Sequence, residues 1–136
     1  MNNTPRLLFA GLCRDVQKSG MEYTLEGFTH HLVTKSYPYP LDHGIVTCWE
    51  LGDQPFTEHI ELVVPIKSQG GQGAETLGGE RQVRAKDPRL LLHTDVHFHA
   101  PQNIPLIFES DCQIAFRVKA NNDLYYECSL IVKRIT

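Results

Sequence analysis

No apolar run in this chain of 136 residues approaches the length of a membrane span. The nearest thing to a targeting segment, Leu7 to Cys13, sits at the lower limit of a signal-peptide core. It is ended by Arg14 and Asp15 and has no Ala-x-Ala site after it. These absences make the cytoplasm the expected location, with no membrane role. A basic excess is also missing: the net charge is −3 with both signs interspersed, which argues against a general nucleic-acid binder. Cysteine is sparse and scattered. Cys13, Cys48, Cys112 and Cys128 lack the close spacing of a zinc knuckle or a redox Cys-x-x-Cys pair, so all four are expected to be thiols in a reducing compartment.

The signatures of catalysis are missing too. Serine, cysteine, histidine and acids are all present, but no Gly-x-Ser-x-Gly turn exposes a nucleophile. Glu58 and Glu61 differ in parity and fall on opposite faces of a strand, so they do not form an acid/base pair. The glycines of Gly73 to Glu80 have no Lys-Ser/Thr after them, which excludes a phosphate-binding loop of the usual kind. There is no internal repeat.

What is present is strand periodicity. Ile114, Phe116, Val118 and Ala120 alternate with polar or small residues, Asn121 to Asp123 turn the chain, and Leu124, Tyr126, Cys128, Leu130 and Val132 form a second apolar row. With both rows on one core, Phe116 falls opposite Cys128, Cys112 opposite Val132, and Ala120 opposite Leu124 across a three-residue loop. Arg6 to Cys13 is apolar at both parities, as expected of a central strand. Met21 to Ser36 fits two segments bent at Gly27, and Tyr37-Pro38-Tyr39-Pro40 fits an extended edge. Ile45 to Leu51, carrying the single Trp49, and Thr57 to Ile66 read as a second hairpin, with Ile60, Leu62, Val64 and Ile66 on its apolar face. Half of the ten glycines lie between Ser68 and Glu80, so a long flexible loop is expected there, with Gln69 to Gly79 dispensable for folding. Arg81 to Lys86 has room for a helical turn before Asp87-Pro88. Leu90 to His99 and Leu106 to Phe108 complete the strands.

The sum is a single domain over residues 1–136: an all-β, antiparallel β-sandwich of about seven strands, immunoglobulin-like in shape, with one long Gly-rich loop. Its expected core is Ile114, Phe116, Val118, Tyr126, Leu130, Leu62, Val64, Val96 and Phe98.

Leu12-Cys13-Arg14-Asp15, Leu25-Glu26-Gly27-Phe28 with a strand ending at Pro38, the segment from Gly52 to Pro65 and the terminal hairpin together resemble a family of small bacterial all-β proteins, a domain of unknown function. The resemblance covers nearly the whole chain, with Asp111 standing where that family commonly has Gly. It implies a fold and no catalytic residue.

Histidine offers the most suggestive chemistry. His93, Asp95, His97 and His99 share one strand face, with Leu92, Thr94, Val96 and Phe98 on the other. His97 and His99, about 7 Å apart along a strand, are within reach of one metal ion, whereas His93 is too distant. The plainer reading, and the one preferred, is a solvated polar face without tightly bound metal. Tyr37 and Tyr39 beside their prolines, and Arg81 and Arg84 in the basic cluster with Lys86 and Arg89, are candidate partner-binding residues. The expected function is a non-catalytic binding or assembly module without a cofactor, engaging a protein partner or a second copy of itself. The alternative is a metal-dependent enzyme using His97 and His99.

Overall fold

Alternating apolar and polar side chains become strands along nearly the whole chain. The computed structural model describes residues 4–65, 74–91 and 93–135. Among them the strands are β1 (Arg6–Cys13), β2 (Asp15–Ser19), β3 (Glu22–Glu26), β4 (His31–Thr34), β5 (Tyr39–Pro40), β6 (Gly44–Glu50), β7 (Phe56–Pro65), β8 (Ala74–Val83), β9 (Thr94–His99), β10 (Ile107–Phe108), β11 (Cys112–Ala120) and β12 (Asp123–Arg134). One 3-10 turn at Pro101–Asn103 is the only helical element among the described residues. The all-β expectation holds. Among the described residues the strands number twelve rather than about seven: Asp15–Ser19 and Ala74–Val83 pair as strands where none was expected, and Tyr39–Pro40 adds a pairing of two residues.

A five-stranded sheet runs β4-β12-β11-β7-β8 and a three-stranded sheet β1-β6-β9, with β5–β10 and β2–β3 as separate pairs. Pairing is antiparallel except between β4 and β12. Most of the chain separates those two strands, so no tight turn forces them to oppose. Both larger sheets feed one hydrophobic cluster, in which Leu12 and Trp49 of the smaller sheet meet Ile60, Leu62, Phe116 and Leu130 of the larger. Of the expected core, Ile114, Phe116, Val118, Leu130, Leu62 and Val64 are buried. Tyr126 packs against the cluster half-buried. Val96 and Phe98 are also only half-buried, because β9 is the edge strand of its sheet. Ile66 and Leu92 lie outside the described residues.

Three expectations need correction. The strand enclosed on both faces is β6, buried at every position but Glu50, while β1 lies beside it at the sheet's edge. An isolated bridge between Leu12 and Thr29 satisfies part of that edge, which is why the apolar run of β1 is tolerated there. Second, β6 and β7 do not form a hairpin. They belong to different sheets, and the chain crosses the core between them, so their apolar faces meet across it rather than side by side. Third, much of the Gly-rich segment is strand: β8 pairs with β7 from Phe56↔Val83 to Pro65↔Ala74. The remainder of the expected loop, residues 68–73, lies outside the described residues. Arg81 to Val83 belong to this strand, not to a helical turn.

Glycine in β8 serves close approach rather than flexibility. A Cβ on Gly78 would stand 2.4 Å from the Ile60 carbonyl oxygen, whereas one on Gly79 meets nothing within 4 Å. Gly78→Ala is therefore expected to lower stability by about 1 to 3 kcal/mol through forced displacement of the β7 backbone. Gly79→Ala should be neutral or stabilising by up to about 1 kcal/mol, since glycine in a strand carries an entropic cost. Urea denaturation of the two variants side by side checks this; equal effects would mean that β8 does not press on Ile60.

The terminal hairpin holds the expected Phe116↔Cys128 and Cys112↔Val132 pairs. A bulge between Val118 and Lys119 then shifts the register, so Ala120 faces Asp123 and not Leu124. The turn shrinks to Asn121-Asn122, with Asn121 at φ 54°. Asparagine tolerates that left-handed conformation better than most residues.

Candidate functional site

One carboxylate sits on an apolar row. Glu58 shares its strand face with Ile60, Leu62 and Val64, and β7 carries it into the core, where it is 1% exposed. Burial of an ionised group demands partners, and β6 of the opposite sheet and β8 of its own sheet supply them. Glu58 Oε2 accepts hydrogen bonds from Thr47 Oγ1 at 2.7 Å and Trp49 Nε1 at 2.6 Å, both on β6. Arg81 of β8 donates from Nε to Glu58 Oε1 at 2.8 Å and from Nη2 to Asp95 Oδ2 of β9 at 2.6 Å. His99 Nε2 lies 3.7 Å from Glu58 Oε1, beyond hydrogen-bond length, and it is enclosed with no hydrogen-bond partner among the described residues. The network thus ties both large sheets together through four strands.

This geometry overturns the expectation that the histidine row is solvated. Ile45, Thr47 and Trp49 stand opposite His99, His97 and Asp95 in the β6–β9 ladder. Paired residues point to the same face, so the row looks inward with Trp49. The alternation along β9 is as the sequence implies; the faces are exchanged. His97 and His99 are in edge-to-face contact, with ring centroids 4.3 Å apart. His93 is half-buried, with Nδ1 enclosed and without a hydrogen-bond partner among the described residues. No group of three or more His, Cys, Asp or Glu placed to hold a metal ion occurs among the described residues.

The remaining candidates separate. Tyr39 is buried against Phe108 and donates its hydroxyl to Asp42, so it is a core residue rather than a partner surface. Tyr37 is half-buried and donates to Asp111. Arg81 faces the core network, while Arg84 is exposed. Glu58 and Thr47 are functional candidates that sequence reasoning passed over. The available signal was a carboxylate at the parity of Ile60 and Leu62.

Electrostatics follow from the contacts. Burial pushes the Glu58 carboxyl up, but His99, Trp49, Thr47 and Arg81 outweigh it and bring the value down to about 2. The Trp49, Thr47 and Arg81 donors are at hydrogen-bond distance, and His99 is not. The His97 imidazole is pushed down by burial, then by Arg81 and His99, against the pull of Glu58 and Asp95. Burial raises the thiols of Cys13 and Cys48 to about 11, so neither is a thiolate nucleophile at neutral pH.

The depressed value of Glu58 makes the fold acid-sensitive. Its stabilisation is complete above the ordinary 4.5 and is lost as pH falls toward about 2, a difference of roughly 3 kcal/mol. His97, whose protonation the fold opposes, adds an earlier decline as pH falls below the ordinary 6.5. Urea midpoints measured from pH 7 to pH 2.5 should fall in these two stages, and Glu58→Gln should abolish the lower one. A Glu58→Gln profile parallel to that of the parent protein below pH 4.5 would remove Glu58 as the cause.

Next to this network is a cavity of about 190 Å³ lined by Ile45, Ile60, Leu62, Leu77, Ile104 and Pro105, with Gly78, Gly79, Asn103 and His99 completing it. His99 belongs to both cavity and network. No protein-family model matches the chain, and no curated protein matches it either.

Proposed function

We propose that the protein is a non-catalytic binding module whose ligand is a small apolar molecule held between its two large sheets. The observation that carries this reading is the cavity beside His99, whose walls come from both sheets. An apolar cavity of about 150 Å³ suffices for benzene in a well-packed core, and this one is larger, at about 190 Å³. Apolar walls with a few convergent polar groups are the usual composition of a ligand site. The high pKa of the buried Cys13 and Cys48 thiols and the full engagement of Glu58 by Thr47, Trp49 and Arg81 favour binding over nucleophilic or acid/base chemistry.

Two large sheets over one core fit a β-sandwich, immunoglobulin-like in outline, and the thiols of Cys13, Cys48 and Cys128 fit a reducing, cytoplasmic setting. The test is a titration with benzene and cyclohexanol, followed by methyl resonances and thermal melting. Shifts confined to Ile45, Ile60, Leu62, Leu77 and Ile104, with a melting temperature that rises with probe concentration, are expected. Unchanged methyl shifts with every probe would sink the proposal.

A further inference from the structure

The cavity has a buried end and an exposed end. Ile45, Ile60 and Leu62 in its lining are buried, whereas Gly79, Asn103 and Pro105 are exposed. It is therefore a dead-end pocket, with an aliphatic floor in the core and a mouth between β8 and the segment from Asn103 to Pro105. Among the described residues β8 is the edge strand of its sheet, so no further strand of that sheet covers the mouth. Position 79 keeps it open. Gly79 pairs with Ile60, and paired residues share a sheet face, so a side chain at 79 would stand on the cavity side. A Cβ built there meets nothing within 4 Å. Charge tells the two ends apart. The described lining holds no Lys or Arg, and Arg81, next on the same face of β8, is already engaged by Glu58 and Asp95. A carboxylate pressed onto the floor would lose its water and find no cation, while the same group at the mouth stays hydrated.

Building on its reading as a binding site, we infer that the cavity takes the apolar end group of an elongated amphiphile, an arylalkyl or branched alkyl group whose polar remainder leaves past Gly79 into solvent. The end group supplies the affinity by burying its surface against Ile45, Ile60 and Leu62. Geometry restricts the rest of the molecule: it has to be thin where it crosses Gly79, and any charge has to lie beyond that residue. Gly79 thus decides which ligands fit.

The experiment titrates the intact protein at pH 7.5 with benzene, phenylbutyrate and para-phenylenediacetate, followed by methyl chemical shifts. Benzene reports the cavity alone, phenylbutyrate carries one charge that can stay outside, and phenylenediacetate must push one carboxylate onto the floor. Phenylbutyrate is expected to bind at least as tightly as benzene, and phenylenediacetate not measurably. Nuclear Overhauser contacts should run from the phenylbutyrate ring to the Ile45, Ile60 and Leu62 side chains, and from its methylenes to the Gly79 α-protons. Gly79→Leu, checked for folding by circular dichroism, should weaken phenylbutyrate roughly tenfold, the equivalent of about two methylene groups displaced. Thr76→Leu, a leucine at an exposed β8 position outside the lining, should leave its affinity unchanged. If benzene binds and phenylbutyrate does not, the reading as a binding site stands and this inference falls. Phenylenediacetate binding as tight as that of phenylbutyrate, or equal effects of Gly79→Leu and Thr76→Leu, overturns it as well. If none of the three binds, the cavity is not a ligand site, and both readings fall.

Discussion

Glu58→Ala is expected to destabilise the protein by about 3 to 5 kcal/mol, a drop in melting temperature on the order of 10 to 20 °C. The cost comes less from the lost attraction than from what remains. Arg81, with its side chain 17% exposed, would keep only Asp95 as a charged partner, and the Trp49 and Thr47 donors would lose their acceptor inside the core. Removing one member of a buried pair strands the other charge, whereas replacing both by apolar groups of similar volume is often tolerated. Glu58→Leu combined with Arg81→Met should thus cost less than the sum of the two single changes, with a coupling of about 1 to 3 kcal/mol. Chemical denaturation of the four proteins measures it. Additive effects would mean that Arg81 and Glu58 do not act as a unit, despite their 2.8 Å contact.

Strand periodicity was easiest to read where one face is apolar and the other polar. In β11, Ile114, Phe116 and Val118 are buried while the intervening residues are not, so parity and burial agree. It was misleading where a sheet is covered on both sides. The outer face of the three-stranded sheet holds Cys13, Val46 and Cys48, buried outside the main core cluster, and a side chain at Gly11 would come within 2.8 Å of the Phe28 ring. Val96 and Phe98 are apolar because they join that outer layer, not because they face the main core. Hydrophobicity alone then assigns the histidine row to solvent, although its partners on β6 are Thr47 and Trp49. The network itself was partly legible. Glu58 and Arg81 are opposite charges on the parity of core residues, Ile60 and Val83 respectively, and two such misfits with opposite signs are a reason to look for a buried pair. Their meeting depends on β8 being a strand. The glycine count of that segment argued otherwise, because Gly78 is required there by the close Ile60 carbonyl and not by a turn.

Phe116→Ala and Leu124→Ala together test the bulge that the plain alternation did not contain. Phe116 is 0% exposed on β11, the middle strand of the larger sheet, with Leu62 opposite on one side, Cys128 on the other and the Tyr126 ring 6.0 Å away. Neighbouring strands on both sides limit any collapse around the missing ring, so the truncation should cost about 3 to 5 kcal/mol. A strictly alternating β12 would put Leu124 on the same face, where its loss would cost about 2 to 5 kcal/mol. The register shift after Val118 instead leaves Leu124 53% exposed, and a surface truncation of this kind should stay within about 0.5 kcal/mol. Urea midpoints at pH 7 separate the two outcomes. A large loss for Leu124→Ala would restore the three-residue loop, and an unchanged midpoint for Phe116→Ala would remove β11 from the centre of the core.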